Sequence, residues 1–278
     1  QKPAAKPRLF LVVMGVGKYK EPAMSLRYPT KDATDLAQFF SSQNKTYAEV
    51  KVKSFLDQGC TLSQLKQLKR FLMETSLEDH VIVFYSGHGV VDASLDYYLA
   101  TSKMDFSNPQ GQGIAYEDLV DVLDGIPSRQ KLLLLDACHS GEIDKENVEK
   151  IKIENTTAGK VTFKAFGEGL TASNIGLQNS FTLMKELFVD LRRGTGATII
   201  SSASGVEFAL EGEDWKNGVF TYALLNGLRS GKADLNGDRK IMVSELQQYL
   251  SEQVAHLTQG AQKPTMRVEN ISNDWRIW

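Results

Sequence analysis

Cysteine is scarce in this chain, with two in 278 residues, so at most one intrachain disulfide is available. Cys60 lies in a turn-like Gln-Gly-Cys segment, whereas Cys138 follows an apolar run. The sequence also lacks any apolar run near the roughly 20 residues that span a bilayer. It has no internal repeat and no linker-like stretch that would divide it. These absences exclude a membrane span and a repeat array, and they predict a single domain.

A strong charge of either sign is missing as well. The chain has 32 Lys and Arg against 34 Asp and Glu, and its net charge of -2 gives no basis for a surface that binds nucleic acid or anionic membrane. Its 42% hydrophobic and 24% charged content is that of an ordinary soluble globular protein with a sizeable core. The compartment stays open between cytoplasmic and secreted or periplasmic.

The first seven residues are polar and rich in proline, which predicts a flexible tail over 1–7 and one domain over 8–278. This tail fits either a terminus left after signal-peptide removal or a linker from a longer protein with additional domains.

Apolar runs alternate with segments of helical periodicity along the rest of the chain. This alternation predicts an α/β domain with a mostly parallel sheet. The predicted strands are 8–16, 50–56, 81–85, 97–100, 131–135 and 197–202. The predicted helices are 32–40, 61–75, 116–123, 181–192, 220–228 and 243–257. The segment 142–179 is rich in Lys, Glu, Asn, Thr and Gly, has little periodicity and is predicted to be a functional or disordered loop.

Two of the predicted strands end in reactive side chains. The run 81–85 leads into Ser86-Gly87-His88-Gly89, and the run 131–135 leads into Asp136-Ala137-Cys138. Short apolar runs of this kind are typical of buried parallel strands, whose carboxyl ends share one edge of the sheet. The sequence therefore predicts that His88 and Cys138 face one crevice.

A histidine beside a cysteine is the arrangement of a thiol nucleophile with its base. Cysteine attacks as the thiolate, and a nearby imidazole generates that form. A lone cysteine is more often a core residue, and a disulfide with Cys60 would silence it, but the strand-end position and His88 favour the catalytic interpretation. The amides of Gly89 and Cys138 are natural donors to an oxyanion. His139 points away from Cys138 and is assigned a packing or backbone-bonding role.

With these two segments the sequence resembles the caspase-like cysteine peptidases, and among them the metacaspase and bacterial caspase-like (orthocaspase) branch. The resemblance covers roughly 9–257 and includes Gly218-Val219-Phe220-Thr221-Tyr222. It implies the caspase-hemoglobinase fold, a mostly parallel six-stranded sheet with helices on both faces. It also implies a thiol protease made as a zymogen, with a large-subunit-like part 8–141, an activation loop 142–179 and a small-subunit-like part 180–278.

The resemblance further implies an acidic pocket for the P1 residue, which precedes the cleaved bond. The matching residues are Asp32, Ser86 and Asp136, where true caspases have glutamine in place of Asp136. Two carboxylates would select Lys or Arg and penalise Asp. The alternative is that Asp32 only caps a helix and that Asp136 anchors a backbone turn.

Two other functional interpretations stay open. The family's small Gly-Cys pair before the early aspartate is Tyr28-Pro29 here, and Arg27 lies close enough to create acidic P1 specificity instead. The second alternative is a caspase-shaped interaction module without catalytic activity. Trp215 fits either a neighbouring subsite or surface packing.

Basic specificity would make the long loop a target of the enzyme itself. The candidate self-cleavage residues are Lys145, Lys150, Lys152, Lys160 and Lys164.

An acidic segment near the carboxyl terminus fits the spacing of an EF-hand calcium loop. Asp234, Asn236, Asp238, Lys240 and Glu245 fall at its positions 1, 3, 5, 7 and 12. Position 6 should be glycine and is arginine, and the alternative is an Asx-rich turn before the last helix. The Cys–His chemistry needs no cofactor, so calcium would be an activator or a structural ion.

Overall fold

The computed structural model describes residues 5–42, 45–92, 94, 96–137, 139–140, 161–163, 196–202, 209–268 and 274–278. The strands are β1 (Arg8–Gly15), β2 (Glu49–Leu56), β3 (His80–Ser86), β4 (Gly89–Val91), β5 (Tyr97–Leu99), β6 (Ile114–Ala115), β7 (Gln130–Asp136), β8 (His139–Ser140), β9 (Val161–Phe163), β10 (Thr198–Ser201), β11 (Leu210–Gly212), β12 (Asn217–Gly218) and β13 (Thr265–Val268). The helices are α1 (Pro29–Ser41), α2 (Leu62–Leu72), α3 (Tyr116–Leu123), α4 (Val219–Ser230) and α5 (Val243–Leu257), with 3-10 turns at Pro22–Met24 and Asp57–Gly59.

The central sheet contains six strands in the order β13-β10-β7-β3-β1-β2. All neighbours pair in parallel except β13, which runs antiparallel to β10. Every residue of β3 is buried, as are all but the first of β1 and of β7. Continuous apolar runs suit strands that are covered on both faces, so the predicted mostly parallel sheet is confirmed.

Two hydrophobic clusters cover the two faces of this sheet. Side chains of β1 alternate between them, with Phe10 and Val12 in the cluster that contains α2 and α3 side chains. Leu9 and Leu11 lie in the other cluster, which contains side chains of α1, α4 and α5. Because neighbouring residues of a strand point to opposite faces, one apolar strand contributes to both cores. Helices lie on both faces, as predicted.

The sequence predicted β5, as the strand 97–100, but missed the other short strands around the main sheet and also β13 within it. Strands β6, β5, β4 and β8 form a second sheet, and β12, β11 and β9 form a third. The predicted helix 181–192 lies outside the described residues, as does the predicted loop 142–179 apart from β9. The division into a tail and one domain stays a prediction. Among the described residues, no helix is long and apolar enough to cross a membrane.

The carboxyl ends of the central strands align at one edge of the sheet. In register, Gly15 of β1 pairs with Ser86 of β3, and Ser86 pairs with Asp136 of β7. Beyond that edge, β4 pairs in parallel with β8, so that Gly89 lies opposite His139. The residues that directly follow His88 and Cys138 in the sequence are therefore neighbours.

The opposite end of the sheet contains two buried groups, His80 and Asp79, whose pKa values are lowered in the folded protein. Burial lowers the pKa of His80 to about 4, against an opposing effect of Asp79, and its ring lies 4.3 Å from that of Trp275. Burial raises the pKa of the Asp79 carboxyl, but hydrogen bonds from Arg8 and Ser76 outweigh this and lower it to about 2.

We expect these two groups to destabilise the protein in successive pH ranges. Below its ordinary pKa of 6.5, His80 takes up a proton only in the unfolded chain, so about 3 kcal/mol of stability is lost as the pH falls from 6.5 to 4. Asp79 also has a higher pKa in the unfolded chain than in the folded protein. As the pH falls from 4 to 2, the unfolded chain therefore takes up this proton first, and about 2 kcal/mol more of stability is lost. Urea unfolding at pH 8 and at pH 4.5 tests the first range.

In that measurement, His80→Phe should remove most of the loss between pH 8 and 4.5, because phenylalanine suits the aromatic surroundings and does not titrate. His256→Gln, at an exposed position of α5, provides the control, since it leaves His80 in place and should keep the loss assigned to it. Equal losses in wild type and His80→Phe would contradict the assignment to His80.

Candidate active site

His88 lies at the carboxyl edge of the sheet, between the end of β3 and the start of β4. Gly87 has a φ of 157°, and a Cβ there would lie 2.5 Å from the Tyr85 hydroxyl, so this turn requires glycine. That hydroxyl lies 2.8 and 2.9 Å from the carbonyl oxygens of His88 and Ala100 and can donate its one proton to either. The hydroxyl of the buried Tyr85 thus fixes the backbone at His88.

The His88 imidazole is 3% exposed and has a defined hydrogen-bond partner. Its Nε2 lies 2.8 Å from the carbonyl oxygen of Met24. A carbonyl oxygen can only accept, so this contact assigns the proton to Nε2 and makes Nδ1 the acceptor in the neutral ring. The ring also contacts those of Tyr19 and Phe106, at centroid distances of 5.0 and 5.6 Å. His88 is therefore held in the tautomer that a base acting through Nδ1 requires.

Tyr19 connects His88 to the loop after β1. Its hydroxyl donates to the carbonyl oxygen of Val16 at 2.8 Å and accepts from the His88 backbone N–H at 3.0 Å. Burial raises the pKa of Tyr19 well above its ordinary value, so the phenol keeps its proton at neutral pH. The sequence analysis missed both Tyr19 and Met24, because neither lies in a motif.

Cys138 lies outside the described residues, so its role as nucleophile and its oxyanion amide stay predictions. The structure describes the chain up to Ala137, which is buried, and again from His139. Gly89 pairs with His139 on one side and with Leu99 on the other. Its proposed contribution to an oxyanion site also stays a prediction.

The structure brings Asp32 and Ser86 together. Asp32 is fully buried in the first turn of α1, and Oδ2 accepts from the Ser86 hydroxyl at 2.8 Å. Oδ1 accepts from the side-chain amide of Asn217 at 2.9 Å and from the Gly218 N–H at 3.0 Å. These donors lie on β3 and β12, so Asp32 does more than cap its own helix.

Asp136 reaches the same region from the end of β7. It is fully buried, and its Oδ2 accepts from the Thr221 hydroxyl of α4 at 2.7 Å. Its carbonyl oxygen accepts from the Gly87 N–H at 3.3 Å. Because Ser86 pairs in register with Asp136, the three residues predicted for the P1 pocket share one location.

Sequence reasoning also missed residues that form hydrogen bonds around the predicted P1 residues. Asn217 and Thr221 supply hydrogen bonds to the two carboxylates, although only the segment containing Thr221 had been noted. Glu211 is 2% exposed, and its carboxylate accepts from the backbone N–H groups of Arg27 and Tyr28 at 2.8 and 3.2 Å. No motif links these positions, which lie more than 80 residues from their partners.

The Arg27 side chain is directed to the surface. The side chain is 66% exposed, and its guanidinium forms an ion pair with Glu213 at 2.5 Å and lies 5.4 Å from the centroid of the Tyr28 ring. Trp215, on the neighbouring turn, packs against the hydrophobic cluster of α1, α4 and α5.

The EF-hand-like loop uses its side chains to hold its own backbone. Asp234 accepts from the N–H groups of Gly237, Asp238 and Arg239, at 2.8 to 3.2 Å. Arg239, at position 6, has a φ of 66° where an EF-hand has glycine. Glu245 accepts from two backbone N–H groups, those of Asn236 and Met242. Within the described residues no three or more His, Cys, Asp or Glu side chains form a group that could hold a metal ion. The Asx-rich turn is thus observed, and the cation site stays a prediction.

Comparisons with known proteins agree with this architecture. The model of the caspase domain family matches residues 8–274. The crystal structure of protein GSU0716 from Geobacter sulfurreducens is similar to this chain with a TM-score of 0.62 at 14% sequence identity. The similarity covers 94% of this chain and 93% of that one. At this identity it shows the fold alone. Comparison with curated proteins finds no match.

Proposed function

The chain belongs to the caspase family, and we propose that it is a cysteine endopeptidase that hydrolyses protein or peptide substrates after lysine or arginine. Family membership supports a caspase-like cysteine peptidase. The Cys–His dyad and the basic P1 specificity are the parts proposed here.

The observation that carries the specificity is the pair of fully buried carboxylates, Asp32 in the first turn of α1 and Asp136 at the end of β7. The hydrogen bonds described above reach them from hydroxyl, amide and backbone N–H groups. Such neutral donors stabilise a carboxylate but leave its negative charge in place. A guanidinium or ammonium group of the substrate would meet two negative charges in a water-poor pocket, and a carboxylate there would be strongly disfavoured.

We assign the catalytic steps to His88 and Cys138. His88 Nδ1 takes the thiol proton of Cys138, and the thiolate attacks the carbonyl carbon of the cleaved peptide bond. The Gly89 and Cys138 amides donate to the oxyanion. His88 then returns the proton to the leaving amine, and water hydrolyses the acyl-enzyme. The Met24 carbonyl holds Nε2–H throughout and favours the imidazolium form.

The position of Arg27 argues against acidic specificity. The Arg27 side chain is two-thirds exposed, and its guanidinium is already paired with Glu213 at the surface. Moving it into the pocket would break that pair and desolvate the cation.

Hydrolysis of fluorogenic peptides that end in Arg, Lys or Asp tests the proposal, each with calcium and with EDTA. We expect cleavage after Arg and Lys, and cleavage after Asp slower by on the order of 10²-fold or more, because the Asp side chain would be buried beside like charges. Preferential cleavage after Asp would overturn the pocket assignment. Absence of any cleavage would favour either an unprocessed zymogen or the interaction module.

Three predictions lie outside what the described residues address. They are membership of the metacaspase and bacterial branch, self-cleavage within 142–179, and dependence on calcium. The difference between the calcium and EDTA arms of the assay decides the last of these.

A further inference from the structure

A cleft of about 520 Å³ lies at the carboxyl edge of the sheet, between the segments that follow β1, β2 and β5. This volume is that of a ligand pocket. Tyr19 lines the cleft and contacts the His88 ring at 5.0 Å, so the cleft is adjacent to the proposed base. Apart from Tyr19, its lining has no part in the site described above.

The cleft has a positive lining in a chain that is slightly acidic overall. Lys18, Lys20 and Lys103 line it, and all three are exposed. In the described part of the chain none of them forms an ion pair. Asp57 is the carboxylate of the lining, and its Oδ1 accepts from the N–H groups of Gly17 and Lys18, both at 2.9 Å. Three cations against one carboxylate that is already hydrogen-bonded suit an anionic ligand.

A buried hydroxyl in the lining also indicates a ligand. Ser102 is 7% exposed, and its carbonyl oxygen accepts from the Lys20 N–H at 2.9 Å. Its hydroxyl has no hydrogen-bond partner among the residues that the structure describes. Buried polar atoms are rarely left in this state, and a bound acceptor would satisfy it.

Tyr19, which lines the cleft, and the acidic pocket lie on opposite faces of the sheet. The pocket is built from α1, β12 and α4, which cover one face of the sheet, whereas Tyr19 belongs to the cluster on the face of α2 and α3. A substrate whose P1 side chain enters the pocket would therefore direct the residues after the cleaved bond toward the lysines.

We propose that this cleft binds an acidic side chain of the substrate on the leaving-group side of the cleaved bond. The inference rests on the proposed peptidase function for its orientation, because the dyad and the pocket define which side is which. Aspartate or glutamate at the first positions after the cleaved bond would place a carboxylate among Lys18, Lys20 and Lys103.

Binding of labelled peptides to the Cys138→Ala variant tests this without cleavage. One peptide has arginine followed by two glutamates, and its partner has two glutamines instead. We expect the glutamate peptide to bind roughly tenfold more tightly at low salt, with a smaller difference at 0.5 M salt, because exposed lysines are screened. The same glutamates placed before the arginine should give little preference.

The variant Lys20→Gln/Lys103→Gln should reduce the ratio between the two peptides to below about twofold. Lys66→Gln, a change at an exposed lysine of α2 outside the cleft, should retain it. Equal binding of both peptides, or a preference that survives the double substitution, would overturn the proposal. Repeating the measurement with aspartate in place of arginine at P1 separates the pocket hypothesis from the cleft hypothesis. The acidic pocket predicts weaker binding of both aspartate peptides, whereas the cleft predicts the ratio between the glutamate and glutamine peptides.

Discussion

Replacing Cys138 by alanine is expected to reduce kcat/KM for an arginine substrate by on the order of 10³-fold or more, and His88→Gln is expected to do the same. Alanine removes the nucleophile. Glutamine can still donate to the Met24 carbonyl but cannot accept the thiol proton. Because each change removes an essential partner of one unit, the double variant should be no worse than either single variant.

Thiol labelling separates loss of catalysis from loss of folding in these variants. Cys60 is a free thiol, 1% exposed, and burial together with the Asp57 charge raises its pKa to about 12. A thiolate-selective probe at pH 6.5 should therefore modify Cys138 alone in the folded protein. We expect fast labelling of wild type, slow labelling of His88→Gln and none of Cys138→Ala.

Slow labelling of the wild type at the same rate as His88→Gln would contradict the assignment of His88 as the base. Combined with absent peptidase activity, it would favour the caspase-shaped interaction module. Labelling of Cys138→Ala would instead show that Cys60 has become exposed and that the variant has unfolded.

The second large effect is expected at the acidic pocket. Asp32→Asn and Asp136→Asn each remove one charge and keep the shape of the side chain. We therefore expect kcat/KM for an arginine substrate to fall on the order of 10²-fold, which corresponds to a rise of about 3 kcal/mol in the activation free energy. Activity on a substrate with a neutral P1 residue of similar size should change much less. The measurement is therefore the ratio of kcat/KM for the arginine substrate to kcat/KM for the neutral substrate, determined for each variant.

Asp121→Asn is the matched control, because it removes the same charge at an exposed position of α3. It should leave the ratio as in wild type. An unchanged ratio in both pocket variants would show that the carboxylates are structural, since Asp32 also connects α1 to β3 and β12. Thermal unfolding of each variant distinguishes that outcome from a specificity role.

Local sequence determined five of the six central strands, all except β13, and the residues at their ends. The apolar runs 8–16, 81–85 and 131–135 were predicted because a strand buried on both faces must be apolar along its whole length. Parallel strands end at one edge of a sheet, so the neighbourhood of Ser86 and Asp136 followed from these runs. The predicted dyad depended on the same reasoning, together with residue type.

Tertiary structure alone decided what holds and surrounds those residues. The Met24 carbonyl at His88, the Thr221 hydroxyl at Asp136 and the Asn217 amide at Asp32 come from elements 64, 85 and 185 residues away in the chain. Each contact depends on strand order and on how helices pack across the sheet, and residue spacing does not encode either. The same limit applies to the surface position of Arg27 and to the lysine-lined cleft. Hydrophobic patterning is local and can be read along the chain, whereas a hydrogen bond or a charged cleft depends on which distant segments the fold brings together.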